Sequence, residues 1–175
     1  FTTSAIQNVL EITNSAKRLK LPLIIKPVSN GSSYGISIVK EYAEIKNAIE
    51  HTGSYGREIL IEECIEGREL TVSVLNEKAL PVIEIKTATG IYDYDAKYKS
   101  DKTRYNVLTP GDDSSETTLS HDVYERAQEL AVRAHNSLGC RTFSRVDMIL
   151  NKDDKIYVLE VNTIPGFTER SLLPK

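Results

Sequence analysis

The sequence lacks the features that mark membrane, secreted and general nucleic-acid-binding proteins. No uninterrupted apolar stretch approaches the roughly 18 residues that a membrane-spanning helix needs, and no signal-peptide pattern opens the chain. The two cysteines, Cys64 and Cys140, lie far apart and form no CxxC motif, which favours a reducing cytoplasm over a disulfide framework. A net charge of -3 argues against a general nucleic-acid binder. We therefore expect a cytoplasmic protein with no membrane or nucleic-acid partner.

Catalytic patterns built on histidine or on a serine or cysteine nucleophile are also missing. The three histidines show no metal-ligand spacing, and no Ser-His-Asp or Cys-His arrangement can be argued. With 40% hydrophobic and 27% charged residues, the 175-residue chain is an ordinary globular sequence, long enough for one domain or two small lobes. It begins at Phe1 without an initiator Met, so we expect it to be a piece of a longer protein.

Periodicity predicts an α+β fold with antiparallel sheets and packed helices. Helical spacing covers 4–20, 42–49 and 123–138, the last with Ser120 as N-cap and Gly139 just past its end. Strand-like runs cover 23–26, 36–39, 58–65, 69–75, 80–87, 141–150 and 156–161, and the three central ones are predicted to form a meander. Residues 88–119 show little periodicity and are predicted to form a long loop, which is typical of a functional or mobile segment.

The last predicted hairpin carries the most informative polar pattern. A four-residue turn at 151–154 would pair Arg145 with Glu160. One face of the sheet would then carry the polar side chains Arg145, Asp147, Glu160 and Asn162. The other face would carry Val146, Met148, Tyr157, Leu159 and Val161 for the core. Two carboxylates and an amide oxygen suit Mg²⁺, which completes its shell with water and substrate phosphates, but a solvated face with an Arg–Glu pair accounts for the same pattern.

A loop of small residues, Asn30 to Gly35, follows the first predicted strand. Its backbone N–H groups and the hydroxyls of Ser32 and Ser33 suit phosphate oxygens, and Lys26 upstream would add positive charge. The loop lacks the P-loop and GxGxxG patterns, so an ordinary turn and a strand-end lysine that reaches water remain open.

Two further segments each allow a functional and a simpler interpretation. Residues 62–65 could present backbone donors and acceptors to a nucleotide base, or could form only an acidic turn in which Cys64 is a small buried hydrophobe. The tyrosine-rich segment 92–98 could be a solvated flap, or a lid that brings Lys97 and Tyr98 towards a reaction centre.

Taken together and in order, five motifs are informative as a set. They are Lys26-Pro27 with 31–35, 60–63 with 67–69, 92–98, 145–147, and Glu160-Val161-Asn162-Thr163-Ile164-Pro165-Gly166-Phe167-Thr168 with Ser171. This set, from about residue 20 to the end, resembles D-alanine–D-alanine ligases of the ATP-grasp superfamily. The resemblance implies an ATP-grasp fold with an ATP cleft between two lobes. Residues 1–75 would form the central subdomain and 76–175 the C-terminal subdomain, and the family's N-terminal, D-alanine-binding domain has no match here.

The resemblance also implies a reaction and the residues that serve it. ATP would phosphorylate the carboxylate of one D-alanine, and the amine of a second would attack the acyl phosphate, giving D-alanyl-D-alanine for peptidoglycan precursors. The implied ATP ligands are Lys26, Ser33 and Lys97, with Glu62, Glu63, Cys64 and Ile65 at adenine and Glu69 at the ribose. Asp147, Glu160 and Asn162 would hold two Mg²⁺ or Mn²⁺ ions. Arg145 and the Gly166 N–H would stabilise the tetrahedral species, Arg145 and Ser171 would bind substrate, and Ser32 and Tyr98 would close the site.

The isolated chain is expected to bind nucleotide and to ligate poorly, and the family resemblance suggests a homodimer for the longer protein. Two other interpretations stay open. One is another ATP-grasp carboxylate–amine ligase, of which a D-alanyl–D-lactate variant is disfavoured by the hydroxyl of Tyr98. The other is a non-catalytic nucleotide-binding or interaction module.

Overall fold

Two antiparallel sheets and three helices organise the residues that the computed structural model describes, which are 9–31, 33–87, 103–112, 115–168 and 171–174. The helices are α1 (Val9–Ala16), α2 (Ile45–Gly53), preceded by a 3-10 turn at Tyr42–Glu44, and α3 (His121–Ser137). The strands are β1 (Leu23–Pro27), β2 (Ser37–Val39), β3 (Ile59–Glu63), β4 (Gly67–Leu75), β5 (Lys78–Lys86), β6 (Arg104–Val107), β7 (Thr109–Pro110), β8 (Thr118–Leu119), β9 (Phe143–Asn151) and β10 (Ile156–Asn162).

The predicted α+β class is confirmed. None of the helices in these ranges combines the length and the apolar character that crossing a bilayer requires.

The described residues fall into two compact units, one ending at Ile65 and the other starting at Glu66. This division lies ahead of the subdomain boundary predicted at 75/76. The reason is that β4 pairs along its length with β9 and also pairs with β5, so its hydrogen bonds belong to the second unit. The assignment of the units to ATP-grasp subdomains stays a prediction.

The first unit is a three-stranded sheet in the order β2-β1-β3, packed against α1 and α2. Helix α2 buries Ile45, Ala48, Ile49 and Thr52, the spacing of one helical face. These side chains meet the buried alternate residues Leu23 and Ile25 of β1. The predicted three-strand meander is wrong, because β3 pairs with β1 and not with β4. Residues 64–66, which separate β3 from β4, form a link between units instead of a tight turn.

The second unit is a five-stranded antiparallel sheet in the order β10-β9-β4-β5-β6, with α3 on one face. The residue pairs Leu70–Met148 and Val72–Val146 form the apolar surface beneath the helix. Both predicted ends of α3 are confirmed. Ser120 Oγ accepts the N–H of Val123, and Gly139 has a φ of +67° just past the last turn.

Strand β6 lies in the segment that was predicted to be a loop. It is a four-residue edge strand paired with β5, with a mixed exposure pattern and a Tyr-Asn pair in its middle. So short a strand gives too few alternations to be recognised from the sequence.

The β9–β10 hairpin forms as predicted, but in a different register. The Asn151 N–H donates to the Lys155 carbonyl at 3.0 Å and Asp154 has a φ of +57°, so three residues close the turn. A bulge between Val158 and Glu160 then shifts the register again. The two shifts together move the pairing by two residues, which restores the predicted faces for Glu160 and the residues after it. Tyr157, expected on the core face, pairs with Ile149 on the opposite face.

An ion pair with a buried carboxylate lies on the α3 side of this sheet. Glu84 is only 3% exposed, and its Oε1 accepts the Nε–H of Arg68 at 2.7 Å, whereas the Arg68 side chain is 35% exposed. Lys86 Nζ lies 3.8 Å from Oε2. Removing the closest cation of a buried carboxylate costs more than the loss of a pair in which both partners are exposed.

We expect Arg68→Met to lower the free energy of unfolding by about 3 kcal/mol, because Glu84 loses its closest cation. The matched control is Arg126→Met, which removes an exposed pair with Asp122 and an exposed hydrogen bond to the Asp154 carbonyl, and should cost less than about 1 kcal/mol. Urea unfolding followed by circular dichroism measures both. Equal losses for the two variants would contradict a special contribution from the buried Glu84 carboxylate.

Candidate active site

Four polar side chains of the last two strands share the sheet face that α3 leaves uncovered. Glu160 pairs with Asp147, and Asn162 pairs with Arg145. Directly opposed residues of antiparallel strands point to the same side, so the predicted grouping is present. The predicted partners are wrong, because the two register shifts place Arg145 opposite Asn162 instead of Glu160.

The carboxylate of Asp147 is the best-anchored group on this face. Arg145 donates from Nε to Oδ1 at 2.8 Å and from Nη2 to Oδ2 at 2.7 Å. Thr71 Oγ1 donates to the same Oδ1 at 2.6 Å. Asp147 is 6% exposed, so this two-point pair is largely shielded from water. The simpler interpretation, a solvated face with a cross-strand Arg–Glu pair, does not describe these contacts.

Thr71 is a site residue that the sequence analysis missed. It is 1% exposed and lies opposite Asp147 on β4, the strand next to β9. A signal was available, because Glu69, Thr71 and Ser73 alternate with the apolar residues 70, 72 and 74, which predicts a polar face on a buried strand. On this same face, the predicted ribose ligand Glu69 lies opposite Ile149 of β9.

The donor set on this face fits a magnesium-type ion. Among the described residues, Asp147 Oδ2 accepts one hydrogen bond, so that oxygen retains a lone pair for a further partner. Glu160 is exposed, and Asn162 Oδ1 accepts the N–H of Ile164 at 3.2 Å. No group of three His, Cys, Asp or Glu side chains suited to a metal occurs in the ranges that the structure covers. A metal ion here would therefore depend on the Asn162 amide and on ligands such as water or phosphate.

The loop after β10 brings Gly166 and Ser171 together. A Cβ on Gly166 would lie 2.6 Å from Ser171 Oγ, so only glycine allows this close approach. The Ser171 hydroxyl is fixed by the Thr168 N–H at 3.0 Å and by the Thr168 hydroxyl at 2.8 Å. Phe167 of this loop packs edge-on against Phe143 of β9, with ring centroids 5.0 Å apart.

In the first unit, two predicted ATP ligands form an ion pair with each other. Lys26 Nζ lies 2.6 Å from Glu62 Oε1, and both side chains are about one-third exposed. The register explains this contact, since Lys26 lies opposite Leu60 and Glu62 opposite Ile24, which makes the two residues diagonal neighbours. Lys26 thus has an internal partner that the sequence analysis did not consider.

The predicted adenine segment is held to the chain that precedes β1. Glu63 Oε1 accepts the N–H of Lys20 at 3.0 Å, and the Cys64 N–H donates to the Pro22 carbonyl at 2.8 Å. The N–H of Cys64 is thus already engaged in an internal hydrogen bond. Ile65 is half-buried and ends the unit.

The small-residue loop between β1 and β2 contains two left-handed residues, Ser33 at a φ of +57° and Gly35 at +76°. The Tyr34 N–H donates to the Gly31 carbonyl at 3.3 Å.

Three predicted site residues, Ser32, Lys97 and Tyr98, lie outside the described residues.

Comparisons with known proteins agree with one another. Residues 2–175 match the family model described as "D-ala D-ala ligase C-terminus". The D-alanine--D-alanine ligase of Nitrosomonas europaea is 42% identical over 159 residues, covering 91% of this chain and 50% of that protein. The chain spans about half the length of the curated relatives it matches.

Two solved structures show the same likeness. The VanG D-Ala:D-Ser ligase from Enterococcus faecalis has a TM-score of 0.78 and 35% identity, covering 99% of this chain and 49% of that one. The D-alanine--D-alanine ligase from Bacillus anthracis complexed with ATP has a TM-score of 0.73 and 27% identity, covering 99% of this chain and 58% of that one.

Thr71→Val should lower the free energy of unfolding by about 1–3 kcal/mol, because the buried Asp147 Oδ1 loses a donor. Thr71→Ser keeps the hydroxyl and should retain most of the stability. Urea unfolding at neutral pH compares the two variants. A valine variant as stable as the serine variant would show that the Thr71 bond contributes nothing.

Proposed function

This chain belongs to the D-ala D-ala ligase C-terminus family, and we propose that it is the part of a D-alanine–D-alanine ligase that binds ATP and metal ions. The predicted ATP-grasp fold class is confirmed, because the solved structures that it matches are ligases of this family. The observation that carries the proposal is the sheet face of the second unit. There a buried Arg145–Asp147 pair lies opposite Asn162 and Glu160.

In the proposed reaction, the γ-phosphoryl group of ATP passes to the carboxylate of one D-alanine, which gives an acyl phosphate and releases ADP. The amine of a second D-alanine then attacks the acyl phosphate, releasing phosphate and forming the dipeptide for peptidoglycan precursors. Phosphoryl transfer depends on positioning and on neutralising charge more than on covalent help from side chains. An arginine, carboxylates and small-residue loops are the kinds of group that this requires.

Asp147, Glu160 and Asn162 would hold the two Mg²⁺ or Mn²⁺ ions. Bound there, the ions would neutralise phosphate charge, and the protein would supply only oxygen ligands. The two hydrogen bonds from Arg145 fix the orientation of the Asp147 carboxylate. Asp147 therefore does not have to be reordered when a metal ion binds.

Arg145 is proposed to stabilise the negative charge that develops on the reacting carboxyl group. Its guanidinium is held by two hydrogen bonds, so it is oriented before the substrate arrives. The Gly166 N–H would add a second donor. Ser171, whose hydroxyl is fixed by Thr168, would bind the carboxylate of the second D-alanine, together with Arg145.

For the nucleotide, Lys26, Ser33 and Lys97 are proposed to bind the phosphates. The adenine would lie against Glu62, Glu63, Cys64 and Ile65, and the ribose against Glu69. Because the Lys26–Glu62 pair is partly exposed, little energy is needed for Lys26 to exchange Glu62 for a phosphate oxygen. Ser32 and Tyr98 would close the site.

We also propose a cytoplasmic enzyme, in keeping with its free cysteines, and a homodimer for the whole-length protein.

A second candidate differs in the second substrate. The VanG D-Ala:D-Ser ligase matches this chain with a TM-score of 0.78. D-Serine is therefore an alternative acceptor to be tested beside D-alanine.

Phosphate release from ATP by the whole-length enzyme should require D-alanine. L-Alanine and D-lactate should not replace it. If D-serine added to D-alanine gives the mixed dipeptide as the main product, the second candidate is correct. An enzyme that releases no phosphate with any of these substrates would overturn both.

Glu160→Gln should weaken Mg²⁺-dependent ATP binding by more than the roughly 10- to 100-fold that loss of a supporting residue costs at metal sites, because a direct ligand loses its charge. Isothermal titration with ATP, with and without Mg²⁺, measures the effect. Glu125→Gln, at an exposed position of α3, is the matched control and should bind ATP normally. Unchanged affinity in Glu160→Gln would remove Glu160 from the metal site.

A further inference from the structure

The turn after α2 forms a support beneath the small-residue loop between β1 and β2. The carbonyl of Tyr55 accepts Asn30 Nδ2 at 2.7 Å. The ring of Tyr55 meets the ring of Tyr34 edge-on, with centroids 5.2 Å apart. One residue outside the loop therefore contacts it at its beginning and near its end.

The same ring also lies directly against the backbone of the loop. A Cβ on Gly35 would be 2.7 Å from Tyr55 Cγ and 2.8 Å from Cδ2, closer than real side chains approach. Gly35 also has a φ of +76°, which side chains other than that of glycine rarely adopt. The tyrosine ring thus limits how closely the loop backbone at Gly35 can approach the end of α2.

Tyr55 is itself held in place. Its N–H donates to the Thr52 carbonyl at 3.0 Å, and its ring packs against His51 with centroids 5.2 Å apart. Thr52 Oγ1 lies 3.4 Å from the Ile25 carbonyl and 3.2 Å from Ser37 Oγ. The end of α2 therefore contacts both strands that flank the loop, and Tyr55 contacts the loop itself.

We propose that Tyr55 is a positioning residue for nucleotide binding, which acts by holding the described part of the loop, residues 30, 31 and 33–35, in one shape before ATP arrives. This inference rests on the proposed function, in which that loop binds ATP phosphates. A loop of small residues has many conformations, and ordering it on binding would reduce affinity. An aromatic ring that fixes the loop in advance removes part of that cost.

The test compares Tyr55→Leu and Tyr55→Phe in the whole-length enzyme. Leucine should raise the dissociation constant and the KM for ATP on the order of tenfold, the size expected for loss of aromatic contacts, and should leave kcat nearly unchanged. Phenylalanine keeps the ring and should behave like the unaltered enzyme. Tyr42→Leu, which removes a tyrosine that donates to the Leu19 carbonyl in the same unit, is the matched control and should not affect ATP binding.

Hydrogen exchange provides a readout that does not depend on ATP. The Tyr34 amide, bonded to the Gly31 carbonyl, should exchange faster in Tyr55→Leu and at the normal rate in Tyr42→Leu. Equal exchange in both variants would overturn the inference. If Tyr55→Leu does not fold, Tyr34→Leu decides, because it removes the ring contact from the side of the loop. Its residue 34 amide should also exchange faster, and an unchanged rate would overturn the inference.

A double-mutant cycle tests the contact between ring and glycine directly. Gly35→Ala should weaken ATP binding more in the unaltered enzyme than in a Tyr55→Ala background, because alanine removes the Cγ and Cδ2 atoms that lie closest to the new methyl group. Strictly additive effects would overturn the inference. An unaltered enzyme that binds no ATP would instead overturn the proposed function, whereas normal ATP binding by Tyr55→Leu would overturn this inference alone.

Discussion

The second unit depends on the three hydrogen bonds that hold Asp147 between Arg145 and Thr71. A carboxylate whose side chain is only 9% exposed is tolerated only when its partner and its remaining lone pairs are well matched. The Thr71 bond joins β4 to β9, whereas both Arg145 bonds lie within β9. These are two inner strands of the sheet, whose opposite face packs against α3. The geometry of the polar face is therefore set by the apolar core behind it, and displacement of either strand would separate groups that have to stay in contact.

The ion pair of the first unit has the opposite character. Lys26 and Glu62 are close to each other, but both side chains are about one-third exposed, so the pair contributes little stability and can be exchanged for another partner. Arg145 and Asp147 are largely shielded and cannot separate without a large cost. This contrast suits the proposed roles, since a phosphate-binding lysine has to release its internal partner and a preorganised arginine has to keep one.

The sequence predicted the longer strands, the capped helix and the polar face of the last hairpin, but not the short strands β6 to β8 or the pairing within the hairpin. Side chains alternate with a period of two, so a register moved by two residues leaves every face unchanged while each cross-strand partner changes. This is why Arg145 and Glu160 were assigned to the correct face and to the wrong partners. The bulge near Leu159 interrupts a continuous apolar run, Tyr157-Val158-Leu159, and nothing in that run marks where the extra residue lies. The pairing of β3 with β1 likewise depends on tertiary packing, which strand-like residues do not specify.

The residues that sequence reasoning missed differ in kind from those that it found. Lysines, carboxylates and glycine-rich loops are recognised because their chemistry limits what they can do. Thr71 and Tyr55 are ordinary residues of a strand and a turn, and their importance comes from what they touch, respectively Asp147 and Gly35. Both contacts join residues far apart in the chain, and in both a supporting side chain fixes a group that would otherwise have several orientations. A site built in this way needs its supporting side chains at fixed distances from the functional groups. Such side chains belong to the packed neighbours of those groups and not to the sequence motifs.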